Sequence, residues 1–565
     1  MASRREAIKH GFGALLSLGA LHAMPQRLAF GAFARPLDDI IPPAAPRLRP
    51  DPIVRLASLG PSETVAGVPF SPQWFGDIYP NGALPFHQCE SCDAFPPPSE
   101  SIDVAIVGGG LSGLSCAYLL RDKDTVLFEL RPRLGGSAMG EAFDGQSWSL
   151  GSAYFMQADR RTRLQSFYSE LGLDRMWRQD NGSFHFSYDG VISDDLLGRD
   201  PDPAWRRALA LYQDAVQRFA LDDYPELPFD KTPSASVVEL DGRTFHEDLL
   251  LRCGALPPRL EYLLQAYCYS SLGVGFDELN AAAGWNFVAA EEFGRNVLPA
   301  GNAGFSDALW NAARANPDGS ARVRVRVGTT VASVQPTKDG VLLFTRLPDG
   351  TLRTTHARHV ICANAKHIVR HMMPWLERTD PDKFEAMRQV PTVAYLIANV
   401  ILKRPVEDDF YDVYLGGGRT FPLDGNAFAE HRVVTDVVNA GFAAASSTRA
   451  LTFYWPLPWH TARFSIIGNE DWRAYASLLA PQLADTLAQF GLSNADVAQV
   501  RCTRWGHAMP YAVPGVYSSG LPAALRRPIH ENIWFANQDN WLLPAVETCI
   551  AEAMWTADQV REALG

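Results

Sequence analysis

Ile102–Gly113, with the sequence IDVAIVGGGLSG, decides the fold of this chain. Its first six residues form a short apolar run rich in β-branched side chains, which is the pattern of a buried parallel strand. Three glycines follow, and the next run, Leu114–Leu120, has helical character. A second apolar run, Thr125–Phe128, ends on Glu129. Strand, glycine turn, helix, strand and acid therefore follow one another within about thirty residues.

The glycine spacing in this run is that of a dinucleotide-binding turn. The first glycine permits the tight bend, the second lets a pyrophosphate approach the backbone, and the third brings the helix close to the strand. The start of the helix offers free N–H groups and a partial positive charge to phosphates. Glu129 follows about twenty residues later, where a carboxylate can accept the hydroxyls of an unphosphorylated ribose. The candidate cofactor-binding residues of the turn are Gly108, Gly110, Leu111, Ser112 and Gly113.

The segment after this acid, ELRPRLGGS, resembles the second fingerprint of the flavin-containing amine oxidase superfamily, which includes monoamine and polyamine oxidases, phytoene desaturases and protoporphyrinogen oxidases. By resemblance, Arg133 contacts the pyrophosphate, while Gly135 and Gly136 let the isoalloxazine end of the cofactor pass. Arg131 is a further candidate cofactor contact. Ser137, also a candidate contact, stands where amine oxidases usually have arginine, which favours the desaturase and spermidine-dehydrogenase branches.

The resemblance implies an α/β fold and FAD as the cofactor. In this fold a Rossmann-like FAD-binding domain of the GR2 type is interleaved with an α+β substrate-binding domain. Val331, in the run GTTV, stands where a valine backbone grips the adenine. Asp539, in the run FANQD, is the expected contact of the ribityl chain or a phosphate, and Val546 or Glu547 the expected neighbour of the flavin.

The run RWGHAMPY is similar to one in the spermidine-dehydrogenase-like branch and supplies the candidate catalytic residues. His507 is expected near the flavin, because histidine can accept a substrate proton near neutral pH. Trp505 and Tyr511 are expected as walls of the substrate pocket. The alternative interpretation is a packed histidine on a strand beside core aromatic residues.

The lysine that assists the reaction of reduced flavin with oxygen in amine oxidases should fall near Ile397 or Ala398, and no lysine is there. A dehydrogenase that passes electrons to a quinone or a carrier protein is therefore favoured over an oxidase that uses O2. Lys403, the nearest lysine, is expected at a solvated strand end. A further aromatic group either lines the substrate domain or belongs to the core; it comprises Tyr267, Tyr269, Trp285 and Phe287.

The first residues have the features of a twin-arginine export signal. Arg4 and Arg5 precede the weakly apolar run Gly11–Met24, and Ala32–Ala34 has the small-x-small pattern of a cleavage site. The alternative is a short amphipathic helix. The signal predicts cleavage after Ala34, the twin-arginine translocon as a partner during export, and a periplasmic location for the folded protein.

The composition restricts the functional class. The chain has 565 residues, 47% of them hydrophobic, and a formal net charge of −12, so no basic surface for nucleic acid is expected. Eight cysteines do not make a disulfide scaffold. Cys89 and Cys92 form a C-x-x-C pair, which can be structural, redox-active or half of a metal site. Because the sequence has no second such pair to complete a four-thiolate set, no metal site is predicted.

Composition shifts and the resemblance together predict a division into seven segments. These are a signal peptide (1–34), a Pro-rich extension that drapes over the body (35–100), FAD-binding parts (101–160, 296–370 and 516–565) and substrate-domain parts (161–295 and 371–515). Within the second FAD-binding part, residues 322–365 are expected to form a β-meander.

The sequence leaves three functions open, and oxidation of an amino acid is a further alternative. The leading one is oxidation of a small-molecule amine, with a polyamine as one candidate, by hydride transfer to N5 of the flavin. The alternatives are desaturation of an isoprenoid or other lipophilic substrate, and flavin binding without net redox output.

Overall fold

The computed structural model describes residues 50–77, 94–180, 185–200, 202–314, 323–407, 409–416, 434–444, 447–457 and 466–565. The predicted export signal, and Cys89 and Cys92, lie outside these residues. Among the described residues, no helix combines the length and the apolar character needed to cross a membrane.

Twenty-three strands are found in the described part of the chain. They are β1 (Ile53–Arg55), β2 (Glu63–Val65), β3 (Val68–Phe70), β4 (Phe75–Gly76), β5 (Glu100–Val107), β6 (Thr125–Phe128), β7 (Gly140–Phe143), β8 (Gln146–Ser149), β9 (Tyr154–Met156), β10 (Arg178–Asp180), β11 (Phe186–Tyr188), β12 (Val191–Ser193), β13 (Arg295–Val297), β14 (Val323–Arg326), β15 (Thr330–Thr337), β16 (Gly340–Arg346), β17 (Leu352–Cys362), β18 (Thr392–Leu402), β19 (Asp412–Gly416), β20 (Asp436–Asn439), β21 (Ala450–Pro456), β22 (Val497–Pro510) and β23 (Ile533–Phe535).

The α-helices of the same residues are α1 (Leu111–Leu119), α2 (Arg163–Glu170), α3 (Pro203–Leu221), α4 (Ala235–Asp241), α5 (Phe245–Cys253), α6 (Pro258–Leu272), α7 (Ala281–Ala290), α8 (Asn302–Ala313), α9 (Lys366–Met372), α10 (Leu376–Thr379), α11 (Pro381–Arg388), α12 (Trp472–Gln489), α13 (Leu521–Arg526) and α14 (Val546–Leu564).

The first large sheet contains the predicted strand–turn–helix–strand unit. Its strand order is β14-β6-β5-β17-β16-β15, and β23 also pairs with β17. Strands β14, β6, β5, β23 and the end of β17 run parallel, and α1 packs against α8 and α14. The α/β class predicted from the sequence is confirmed. One detail of the meander is wrong: β15–β17 are antiparallel as expected, but β14 leaves them and extends the parallel sheet beside β6.

The second large sheet has the order β12-β11-β19-β20-β21-β18-β22-β3-β2, with β4 also paired to β22. At its centre every residue of β18 is buried. Strands β2, β3 and β4 come from the predicted Pro-rich extension, so part of that segment belongs to this sheet. The exact boundaries of the predicted segments stay a prediction.

The central helices follow the sequence pattern with one interruption. The predicted helical run 204–220 is α3. The predicted run 248–271 is divided into α5 and α6, because Gly254 ends the first helix and Pro257 and Pro258 begin the second.

The approach of α1 to β5 depends on Gly113. A Cβ at this position would overlap the carbonyl oxygen of Gly108, which begins the turn after β5, and would come within 3.4 Å of the Ala363 side chain. Only a residue without a side chain lets the helix lie this close to the strand.

Gly113→Ala is therefore expected to destabilise the fold by about 2–3 kcal/mol, since the added methyl group has no space. Gly242→Ala is the matched control, because a Cβ there meets nothing within 4 Å and the backbone φ is −77°. The midpoint temperature of thermal unfolding reports the stability of both variants. Equal midpoints for the two variants would show that the close approach is not required.

Candidate active site

One cavity of about 1350 Å³ joins the glycine turn of the first sheet to one face of the second sheet. This volume exceeds that of a pocket for a single drug-sized ligand and leaves room for a dinucleotide and a substrate. Most of the residues predicted from the sequence line it: Gly108, Gly110, Leu111, Ser112, Glu129, Arg131, Gly136, Ser137, Val331, Trp505, His507, Asp539, Val546 and Glu547. Gly113, Arg133, Gly135 and Tyr511 are not among the lining residues.

Glu129 joins the glycine turn to the loop after β6. Its buried carboxylate accepts the N–H of Gly109 at 2.6 Å and the N–H of Arg131 at 2.8 Å. Each oxygen has a further lone pair that can accept a ribose hydroxyl. The acid thus both fixes the turn and faces the cavity.

Arg131 connects the cofactor end of the cavity to the second sheet. Its guanidinium forms an ion pair with Asp77 and lies 5.2 Å from the centre of the Trp505 ring. The other oxygen of Asp77 accepts the N–H of Gly506 at 2.8 Å. Asp77 also lines the cavity, although nothing in its Pro-rich sequence context indicated a functional residue.

Arg133 is not placed where the resemblance put it. Its guanidinium donates a hydrogen bond of 3.0 Å to the carbonyl oxygen of Gly140, and burial lowers its pKa. This contact joins the side chain to β7, and Arg133 is not among the residues that line the cavity. Gly135 likewise packs on the backbone of Ala138, where a Cβ would lie only 2.7 Å from the carbonyl oxygen.

The C-terminal residues line the cavity through two buried acids. Asp539 accepts the N–H of Lys366 at 2.8 Å; burial raises its pKa, while the charge of Lys366 opposes that shift. Glu547, in the first turn of α14, accepts the N–H of Met156 at 2.6 Å, and burial raises its pKa as well. Val546, the first residue of α14, presents the helix N-terminus to the same space.

One face of the second sheet forms an aromatic wall, which we define as Tyr395, Tyr454 and Trp505 together with Tyr154 from β9. The wall is fixed by hydrogen bonds to carbonyl oxygens: Tyr454 donates to Gly151 at 2.7 Å and Trp505 to Leu150 at 2.8 Å. Because the hydroxyl of Tyr454 and the indole N–H of Trp505 are already hydrogen-bonded, the aromatic rings are the surface that a substrate would contact.

His507 lies at the cavity, two residues after Trp505 on β22, and stacks on His367 of α9. The two ring centroids are 3.4 Å apart and the planes are inclined by 15°. His507 is thus neither isolated in the core nor remote from the site. His367 was not predicted as a site residue, and its only signal in the sequence is a second histidine, His371, one helical turn later.

Tyr511 does not serve as a wall of this cavity. It follows the last residue of β22, Pro510, and is buried in a hydrophobic core. Of the aromatic group with two interpretations, Phe287 lines the cavity, whereas Tyr267 and Trp285 are core residues.

Lysine is absent from the lining of this cavity among the described residues. Ile397 lies near the position at which amine oxidases are expected to have their lysine, and it lines the cavity with an apolar side chain. Lys403 is exposed and donates to the carbonyl oxygen of Ala495, as expected for a solvated strand end.

A buried charge cluster lies behind the aromatic wall. Arg295 is fully buried and forms ion pairs with Asp180, Glu291 and Asp412. Burial raises the pKa of Glu291 to about 7, although Arg295 opposes the shift. Asp436 lines the cavity close to this cluster and was not predicted from the sequence, where its only signal is an acid inside the apolar run VVTDVVN.

The lining fits a flavin adenine dinucleotide. A Cβ on Gly110 would meet only the Cα of Gly136, at 3.7 Å, so bare backbone faces the space where a pyrophosphate would lie. The first turn of α1, whose N-cap is Gly110, directs free N–H groups there, and Glu129 supplies the acceptor for a ribose.

Comparisons with known proteins agree with this arrangement. Residues 111–560 match the model of the family described as flavin containing amine oxidoreductase. Oxidoreductase PigB of Serratia sp. (strain ATCC 39006) is 20% identical over 83% of this chain and 76% of its own length. Carotenoid 3,4-desaturase of Haloarcula japonica is 25% identical over 50% of this chain and 60% of its own length.

A solved structure of a putrescine oxidase double mutant superimposes with a TM-score of 0.60 at 17% identity, over 82% of this chain and 100% of that one. The predicted Rossmann-like fold with an interleaved substrate domain is confirmed by this likeness. Because the family model matches far more than half of the sequence, this chain belongs to the flavin-containing amine oxidoreductase family and is an FAD-dependent oxidoreductase that acts on a small molecule and passes electrons to an acceptor.

Proposed function

We propose that this enzyme oxidises an amine, by transfer of a hydride equivalent from the carbon beside the nitrogen. The observation that carries the proposal is the shared cavity, in which the aromatic wall faces the same space as the dinucleotide turn. FAD, when bound, accepts the hydride equivalent. The wall holds the reacting carbon in place and keeps water from the nitrogen, which favours its neutral form.

In this proposal His507 accepts the proton that leaves the reacting nitrogen. The loss of a hydride from carbon and a proton from nitrogen gives an imine, which water hydrolyses. Stacking on His367 fixes the orientation of the imidazole ring beside Trp505. An oriented base contributes because its proton acceptor is already positioned when the C–H bond breaks.

Desaturation of a lipophilic substrate is the second candidate, favoured by the similarity to carotenoid 3,4-desaturase over half of the chain. Such a substrate would need an apolar lining in the part of the cavity that holds it. The buried carboxylate of Asp436 in the lining favours an amine instead.

Anaerobic mixing with a panel of primary and secondary amines is expected to bleach the flavin absorbance, whereas polyene precursors leave it unchanged. His507→Ala should lower the limiting rate of reduction about 100-fold, because a general base contributes roughly that factor. His356→Ala, which removes a histidine hydrogen-bonded to Ser101 outside the cavity, is the control. Bleaching by the polyene alone would refute amine oxidation, and an unaltered rate in His507→Ala would refute the assigned base.

We propose further that the electron acceptor is a quinone or a carrier protein and not O2. The apolar Ile397 and the lack of lysine in the described lining support this. Reduced enzyme mixed with a water-soluble quinone should therefore be reoxidised at least about tenfold faster than with air-saturated buffer, a difference of about 1.4 kcal/mol in barrier. Stopped-flow absorbance gives both rates; a faster reaction with oxygen would identify an oxidase.

We also propose that the enzyme reaches the periplasm by the twin-arginine route, on the basis of Arg4 and Arg5. The double variant Arg4→Lys, Arg5→Lys should accumulate in the cytoplasm with its leader attached, because the pathway reads the arginine pair and not charge alone. Arg27→Lys, outside the pair, is the control. Cell fractionation gives the compartment of each variant, and the mass of the N-terminal peptide shows whether the leader is still attached. Unimpaired export of the double variant would exclude this route.

A further inference from the structure

Asp436 lies on the cavity face of the second sheet, at the start of β20. It pairs in register with Tyr454 of β21, and Tyr454 pairs with Ile397 of β18. These three side chains form a row across the strands and all line the cavity. The carboxylate therefore belongs to the cavity lining beside the aromatic wall.

The two oxygens of this carboxylate differ in their contacts. Oδ2 accepts a hydrogen bond of 3.1 Å from the hydroxyl of Ser270, on α6. Oδ1 is buried and has no hydrogen-bond partner among the described residues, and the side chain as a whole is only 4% exposed. A buried carboxylate oxygen without a donor is costly, so a ligand that brings a donor is stabilised here.

No cation among the described residues forms an ion pair with Asp436. Arg295, the buried cation whose charge acts on Asp436, forms its ion pairs with Asp180, Glu291 and Asp412. Burial and then the charge of Asp412 raise the pKa of Asp436 well above its ordinary value, while Arg295 opposes the shift. Carboxylates thus outnumber cations at this end of the cavity, which favours a cationic ligand.

The carboxylate is remote from the proposed base. Strand β22, which carries Trp505 and His507, is three strands away from β20 in the sheet. With adjacent strands about 4.8 Å apart, the two positions are separated by roughly 14 Å across the sheet alone. A nitrogen oxidised beside His507 cannot also contact Asp436. Between them lie Tyr395 and Tyr454, whose rings can pack on an aliphatic chain and stabilise a cation.

We propose that Asp436 binds a second, unreacted ammonium group of the substrate, which is therefore a diamine or polyamine with an aliphatic chain between its nitrogens. The assignment rests on the proposed amine oxidation and specifies its substrate class. Asp436 acts through binding and positions the substrate, while His507 acts on the nitrogen that is oxidised.

The test compares 1,8-diaminooctane with n-octylamine, which have the same carbon chain and differ by one ammonium group. In the FAD-loaded enzyme, anaerobic flavin reduction gives the apparent Kd and the limiting rate for each. The diamine should bind at least about tenfold more tightly than the monoamine, as expected for a charge-assisted contact. Asp436→Asn should abolish that preference by weakening the diamine alone, with the limiting rates changed less than about threefold.

Asn keeps the shape of Asp436 and the hydrogen bond to Ser270, and the absorbance of bound FAD reports whether the variant is folded. Asp436→Ser is a second variant that removes the charge with a smaller side chain. Glu226→Gln is the matched control, because it removes an exposed carboxylate from the lining of the same cavity and should keep the preference for the diamine.

The outcomes separate the two proposals. If no amine reduces the flavin of the unsubstituted enzyme, the proposed function fails. If amines reduce it but the diamine is not preferred, or the preference survives in Asp436→Asn and Asp436→Ser, amine oxidation stands and the ammonium site is refuted. Loss of the preference in Glu226→Gln as well would also refute it, since the effect would then be one of net charge.

Discussion

The carboxylate of Glu129 is the interaction on which both ends of the cavity depend. It holds the N–H of Gly109, in the turn before α1, and the N–H of Arg131, in the loop after β6. Because one buried side chain fixes both loops, the guanidinium of Arg131 is directed at Asp77, which in turn accepts the N–H of Gly506 on β22. Consecutive polar contacts therefore connect the nucleotide turn to the strand of the proposed base.

The local part of this arrangement could be predicted from the sequence, and the long-range part could not. The β5–α1–β6 unit and Glu129 follow from periodicity and glycine spacing within a short segment, where steric limits on the backbone decide the structure. The alternating run of β14 indicates a strand but not its partner, which proved to be β6. His367, Asp77 and Asp436 reach the cavity through contacts with residues distant in the chain, and no local pattern encodes such contacts.

Side-chain direction explains the two site residues that the structure places elsewhere. Trp505 and His507 are two residues apart on β22 and both line the cavity, in a stretch where the pairing of β22 with β18 shifts register between Trp505 and Met509. The strand ends at Pro510, and the alternation cannot be extended to Tyr511, which turns into the core. For Arg133 the family motif gave the position of the backbone but not the contact of the guanidinium, which is with the carbonyl of Gly140.

The charges behind the aromatic wall bear on the choice between an amine and a polyene. A buried ionic cluster such as that of Arg295 contributes little net stability compared with packed apolar residues, because removing its members from water costs as much as their attraction returns. A gain in the stability of the fold therefore does not explain why the carboxylate of Asp436 lines the cavity. A neutral polyene would cover its carboxylate oxygen without offering a donor, whereas an ammonium group replaces the lost water contacts. This contrast supports the proposed diamine or polyamine substrate, because the rings of the aromatic wall can stabilise a cation with an apolar chain.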